Sequence, residues 1–145
     1  MGLDKKKIII IEDNEADASV IEDAITTSDL NCEVIRFRDG EEALQALLDP
    51  DATVPDVLLL DLNLPRIDGL EVLQRIRSTP RLAQTPVGIL TGSGAASDKR
   101  RAAFSGATRY VYKPLNYDEY VAEVRQAVAE MLQVVEPGSS AVGRG

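Results

Sequence analysis

Five short runs rich in β-branched and apolar residues punctuate the chain: IIII (Ile8 to Ile11), CEVIRF (Cys32 to Phe37), VLLL (Val57 to Leu60), VGIL (Val87 to Leu90) and TRYVY (Thr108 to Tyr112). The first, third and fourth are continuously apolar, as strands covered on both faces read, while the second and fifth alternate more, as strands nearer a sheet edge do. Gly88 interrupts the fourth run, where a glycine adds nothing to packing. Between the runs lie segments of helical spacing: Val20, Ile21, Ala24 and Ile25 share one face, Ala43, Leu44, Leu47 and Leu48 another, and Val72, Leu73 and Ile76 a third. Four helix starts carry a short acidic or amide residue with an acid three positions on: Asn14 and Asp17, Asp39 and Glu42, Asp68 and Glu71, Asn116 and Glu119. Such pairs satisfy the free amides of a first turn and complement its dipole. A helix within Ser97 to Ser105 has no such start.

Strand and helix alternate five times, which predicts an α/β fold, (βα)5, with a parallel sheet between two helical layers. Right-handed crossovers then bring the carboxyl ends of all five strands to one edge, where open α/β sheets hold their ligands. One domain is expected over residues 1–135. The last ten residues, EPGSSAVGRG, have the composition of a flexible tail over 136–145, and nothing after residue 135 would fold into an output domain.

Composition narrows the chemistry. With 24 acidic against 16 basic residues the net charge is -8, unsuited to nucleic acid or an anionic membrane surface, which are held by clustered Lys and Arg. The single cysteine, Cys32, forms no intramolecular disulfide, and no leader or membrane-length apolar run is present, so a cytoplasmic setting is expected. The absence of histidine excludes Ser-His-Asp and Cys-His catalysis and His-ligated zinc.

The residues just past the strands are Glu12 and Asp13 after the first, Asp61 after the third, Thr91 after the fourth and Lys113, then Pro114, after the fifth. Two like charges about 4 Å apart repel by roughly 4 kcal/mol at an effective dielectric near 20, so three converging carboxylates require a cation. All-oxygen ligands favour Mg2+ over a soft transition metal. Carboxylates beside Mg2+, a hydroxyl and a lysine are parts for phosphoryl transfer, with Asp61 as the best nucleophile because Glu12 and Asp13 are paired as metal ligands usually are. Ser93 rivals Thr91, but Thr91 directly follows the apolar strand.

The motifs IIEDN, LLLDLNLPRIDG, ILTGS and YVYKP, in that order and spacing, resemble the receiver domain of two-component response regulators over about residues 6–135. That resemblance implies a flavodoxin-like sheet of order 2-1-3-4-5. It makes Asp61 the phosphoacceptor for a sensor histidine kinase and Glu12 and Asp13 the acidic pair that positions Mg2+, with Asp61 and the Asn63 carbonyl completing the protein ligands. Thr91 matches the switch hydroxyl, Tyr110 the aromatic that follows it, and Lys113 the lysine that pairs with the phosphoryl group; the Lys113–Pro114 bond is expected to be cis. Gly88 and Tyr112 depart from the family's commonest pattern and bear on packing near the fourth and fifth strands. The chain is similar to stand-alone receivers paired with bacterial phytochromes, a switch rather than an enzyme, signalling to a downstream protein by contact.

The last helix, Asn116 to Val135, would span about 30 Å against roughly 17 to 20 Å for a strand of five or six residues. Its apolar stripe of Tyr120, Val121, Val124, Ala127, Val128, Met131, Leu132 and Val135 is therefore expected to overhang the core, with Tyr120, Val124, Val128, Met131 and Leu132 as a homodimer or partner face. Two other functions are disfavoured by residues at their key positions. A haloacid-dehalogenase-type phosphatase needs an acid two residues after its nucleophile, where this chain has Asn63. An FMN module needs a phosphate loop after the first strand, where this chain has the acidic EDNEAD.

Overall fold

A computed structural model describes residues 5–92 and 94–135, with the side chains of Val134 and Val135 excepted; Ser93 and the expected tail at 136–145 lie outside the described residues. The elements run β1 (Lys6–Ile11), α1 (Glu15–Thr26), β2 (Cys32–Phe37), α2 (Gly40–Leu47), β3 (Val57–Asp61), α3 (Gly69–Arg77), a 3-10 turn (Pro80–Leu82), β4 (Val87–Thr91), α4 (Ala96–Phe104), β5 (Arg109–Tyr112) and α5 (Tyr117–Val135). The strands form one parallel sheet in the order β2-β1-β3-β4-β5. The two runs with alternating character are its edges. Among the described residues no helix is long and apolar enough to cross a membrane.

The pleat divides the core in two. Ile8 and Ile10 of β1 point to the layer of α1 and α5, where they join Ile21, Ile25, Val124 and Val128. Ile9 and Ile11 point to the layer of α2, α3 and α4, where they join Leu44, Leu47, Leu73 and Ile76. Full burial of each such side chain contributes about 1.5–3 kcal/mol, so the central strands are rigid mounts for whatever their ends carry.

All four sequence-marked helix starts are capped by side chains. Asn14 Oδ1 accepts from the Asp17 amide at 2.8 Å, Asp39 Oδ1 from the Glu42 amide at 2.8 Å, Asp68 Oδ1 from the Leu70 amide at 2.7 Å and Asn116 Oδ1 from the Glu119 amide at 2.9 Å. α4 begins after Ala95 without a side-chain cap, as its sequence implies.

The expected overhang of the last helix is corrected. Tyr120 (4% exposed), Val124 (0%), Val128 (0%), Met131 (1%) and Leu132 (9%) all belong to the chain's own core. The reason is lateral: α5 packs across α1 as well as onto β3, β4 and β5, so these five side chains are covered by a neighbouring helix as well as by the sheet. These residues offer no homodimer face. Gly88 makes the fit possible. A Cβ there would lie 2.8 Å from Met131 Cε and 3.2 Å from Leu59 Cδ2, so the missing side chain is the recess that the flexible thioether fills.

Gly88→Ala should destabilise the domain by no more than about 1 kcal/mol, because the added methyl meets the flexible end of Met131. In a Met131→Ala background, itself costing about 2–5 kcal/mol, the same change should cost less or stabilise. Urea denaturation of the four proteins measures the coupling, and additive effects would contradict this packing.

Candidate functional site

Each residue at the carboxyl edge is placed by a strand end. Asp61 is the last residue of β3 and Thr91 the last of β4, both pulled inward by continuous apolar runs to 5% and 0% exposure. Glu12 follows β1 and is 1% exposed, whereas its neighbour Asp13 is exposed. Carboxylate oxygens of Glu12, Asp13 and Asp61 all lie within 4.8 Å of one another. Three hard oxygen donors at that spacing fit a divalent cation.

Lys113 supplies the compensating charge. Its Nζ donates to Glu12 Oε1 at 2.8 Å and Asp17 Oδ2 at 2.9 Å, and stands 3.6 Å from Asp61 Oδ2. Its backbone is fixed by a hydrogen bond from the Lys113 amide to the Thr91 carbonyl at 2.7 Å. Burial lowers the lysine's proton affinity, but its bonds to Glu12 and Asp17 and the charge of Asp61 outweigh that and hold it above the ordinary range. It is a fixed cation. Glu12 is pushed up to about 7 by burial, with the negative charge of Asp61 adding to it and Lys113 opposing. The Lys113–Pro114 bond is trans, since no peptide bond among the described residues is cis, which corrects the isomer the family resemblance implies. Trans is favoured by about 0.5–1 kcal/mol before any tertiary constraint acts, and from it Lys113 already reaches the three carboxylates.

The loops around these residues are held by backbone contacts. The amide of Asn63 donates to Asp61 Oδ1 at 3.1 Å, and that of Asn14 to Glu12 Oε2 at 3.1 Å. The start of α3 is drawn under the site by the Gly69 amide, which donates to the Leu62 carbonyl at 3.0 Å. A Cβ at Gly69 would collide with the Asp61 carbonyl oxygen and come within 2.7 Å of Leu62 Cα, so this approach requires glycine. Tyr110 is half-buried against the α2–α4 layer, while Tyr112, two residues on, is 55% exposed.

Two contributors escaped the sequence reading. Asp17 was legible only as the acid of a helix-start pair, yet its side chain is a hydrogen-bond partner of Lys113; the signal was its place in the first turn after β1, which faces the carboxyl edge. Arg36, on β2, donates from Nε and Nη2 to the Glu12 carbonyl at 3.0 and 2.8 Å and from Nη1 to Glu15 at 3.0 Å. A fork gripping the acidic loop from a neighbouring strand leaves no mark in a one-dimensional pattern.

Comparison with known proteins agrees with this geometry. Residues 8–125 match the family model of the response regulator receiver domain. The chain is 35% identical over 122 residues to the probable methanogenesis regulatory protein FilR2 of Methanothrix harundinacea, covering 82% of this chain and 79% of that protein. It spans about half, 51%, of a second curated relative. The crystal structure of the phosphorylated cyanobacterial phytochrome response regulator RcpA superposes with a TM-score of 0.84 at 36% identity, over 90% of this chain and 96% of that one. The Mn2+-bound form of response regulator Rcp1 gives 0.81 at 32% identity, over 88% and 95%.

The raised Glu12 predicts a pH dependence for the metal-free protein. An acid whose folded pKa lies above its unfolded value of about 4.5 gives stability that is complete below 4.5 and lost as pH rises through about 7. In EDTA, stability should fall across that window by on the order of 3 kcal/mol at most, from about 1.4 kcal/mol per pH unit. Glu12→Gln should flatten the fall, as thermal denaturation at stepped pH will show; an unchanged slope contradicts the assignment.

Proposed function

The chain belongs to the response regulator receiver domain family, and we propose that it is a phosphorylation-dependent switch in which Asp61 accepts a phosphoryl group from a histidine of a sensor histidine kinase. The observation that carries this reading is the meeting of Lys113 with Glu12 and Asp61 at the carboxyl edge, beside the buried Thr91.

In the transfer, an Asp61 carboxylate oxygen attacks phosphorus while the bond from phosphorus to the donor nitrogen breaks, and the electron pair leaves with the imidazole. Asp61 is ready for this because it sits at the end of a rigid strand with one oxygen held by the Asn63 amide. Receivers bind a divalent metal at this acidic pocket, and here Glu12, Asp13 and Asp61, with the Asn63 carbonyl, are the residues to hold Mg2+. The bound ion would neutralise charge on the phosphoryl oxygens. Lys113 offsets a further oxygen and the Thr91 hydroxyl hydrogen-bonds another. With Asn63 where a phosphatase would carry its general acid, turnover is limited to self-catalysed phosphorylation and loss of the phosphoryl group by hydrolysis.

The likeness to phytochrome response regulators supports a bacteriophytochrome-type kinase as donor, in the cytoplasm. The signal leaves by protein contact. Lys113 is continuous with Pro114 and the fully exposed Leu115, and Tyr112, Tyr117 and Phe104 are also exposed, so a shift of the lysine toward a phosphoryl group displaces an apolar surface built by α4, β5 and the start of α5. Thr91 and Tyr110 are the residues whose movement accompanies that shift.

Incubation with radiolabelled acetyl phosphate should label the protein in Mg2+, at least about tenfold less in EDTA, and not at all for Asp61→Asn. Equal labelling of Asp61→Asn, or labelling indifferent to Mg2+, would overturn the phosphoacceptor reading.

A further inference from the structure

Lys113 has three ammonium hydrogens, and its two shortest contacts are to acids other than Asp61. Glu12 and Asp17 take Nζ at 2.8 and 2.9 Å, against 3.6 Å to the Asp61 carboxylate. A phosphoryl group on Asp61 would compete with these two contacts for the ammonium. A cation held by the acidic cluster competes for Glu12, which is one of its ligands, but Asp17 is outside the cluster of carboxylates spaced to hold a metal. Its pull on Lys113 therefore persists when the metal is bound. Asp17 is firmly placed for this: its own amide is tied to Asn14 Oδ1 at 2.8 Å, and its side chain, 31% exposed, turns inward to the lysine.

An independent observation lies on α5. Tyr120 is 4% exposed, and its hydroxyl is buried with no hydrogen-bond partner among the described residues. It lies within electrostatic reach of Lys113, Asp17, Glu12 and Asp61, and burial, with the three carboxylates, holds it protonated. A buried donor without an acceptor is unfavourable, and less so when an acceptor loses its present partner.

We propose that Asp17 is the resting partner of Lys113, competing with the phosphorylated Asp61 for the ammonium, and that the Tyr120 hydroxyl donates to the Asp17 carboxylate once Lys113 has turned to the phosphoryl group. Asp17 and Tyr120 are positioning residues that set the balance between the resting and the engaged lysine. Asp17 favours the resting position and Tyr120 the engaged one, and together they connect the site to the α1–α5 side of the sheet.

The proposal rests on the phosphoacceptor reading, and one experiment separates the two. Beryllofluoride, a stable mimic of an aspartyl phosphoryl group, is titrated at saturating Mg2+ into wild type, Asp17→Ala, Asp17→Asn, Tyr120→Phe and the Asp17→Ala/Tyr120→Phe pair, with bound fluorine followed by 19F NMR. Relative to wild type, Asp17→Ala should bind about two- to fivefold more tightly, the scale of a partly exposed ion pair, and Asp17→Asn by an intermediate factor. Tyr120→Phe should bind about two- to fivefold more weakly, and this loss should vanish in the Asp17→Ala background. Thermal denaturation confirms folding of each variant, because a purely structural role would lower the melting temperature without moving these affinities. Unchanged affinity in Asp17→Ala, or a Tyr120→Phe effect that survives there, overturns the proposal while leaving the phosphoacceptor reading standing. Failure of wild type to bind beryllofluoride overturns both.

Discussion

The constraint on which the rest of the structure depends is the crowding of carboxylates at the carboxyl edge of the sheet. Glu12, Asp13 and Asp61 hold oxygens within 4.8 Å of one another, and two of the three are almost wholly buried. Such a cluster survives only beside positive charge, since unpaired buried charge is expensive. Lys113 provides it from two strands away: β3 ends in Asp61, β4 intervenes, and the lysine directly follows β5. A flexible four-carbon stem spans that gap, where a shorter cation would not. The compensation is incomplete, one ammonium for three acids and Asp17 besides, and the remaining negative potential is what makes the edge a site for a divalent cation and a phosphoryl group.

The scaffold is built to keep that edge still. Continuous apolar strands with a full helical layer on each face give β1 and β3 no freedom to tilt. Buried or half-buried arginines then clamp backbone that no helix or strand ladder holds. Arg36 grips the acidic loop through the Glu12 carbonyl. Arg77 joins the end of α3 to the carbonyls of Thr85 and Gly106 at 2.7 and 2.9 Å, and Arg81 ties the end of α2 through the Leu47 and Asp49 carbonyls. Each is a charge-assisted bond to a neutral acceptor, so the clamps fix loops without adding carboxylates to a chain already rich in them.

Much of this was legible in one dimension because it is periodic or local. Runs covered on both faces gave the strands, acid or amide pairs gave the caps, and the residue after each run named Glu12, Asp61, Thr91 and Lys113. What escaped depends on neighbours distant in sequence. Gly88 reads as a defect until Met131 of α5 is found in its place, and the α5 stripe reads as surplus until α1 is found lying across it. Asp17 reads as half of a cap because its amide does cap; only the fold shows that its carboxylate faces the other way, to Lys113.

The sequence by itself therefore determined the (βα)5 order, the sheet edge that carries the chemistry and the residue types gathered there, since alternation and chain chirality leave few other arrangements. The tertiary structure decided how the charges are shared, that Lys113 bonds Glu12 and Asp17 and stands 3.6 Å from Asp61, that Tyr120, Val124, Val128, Met131 and Leu132 of α5 are interior, and that the bond before Pro114 is trans. Side-chain pairing across strands is set by distances of a few ångströms between residues about a hundred positions apart, such as Lys113 and Glu12, and a linear pattern carries no record of those distances.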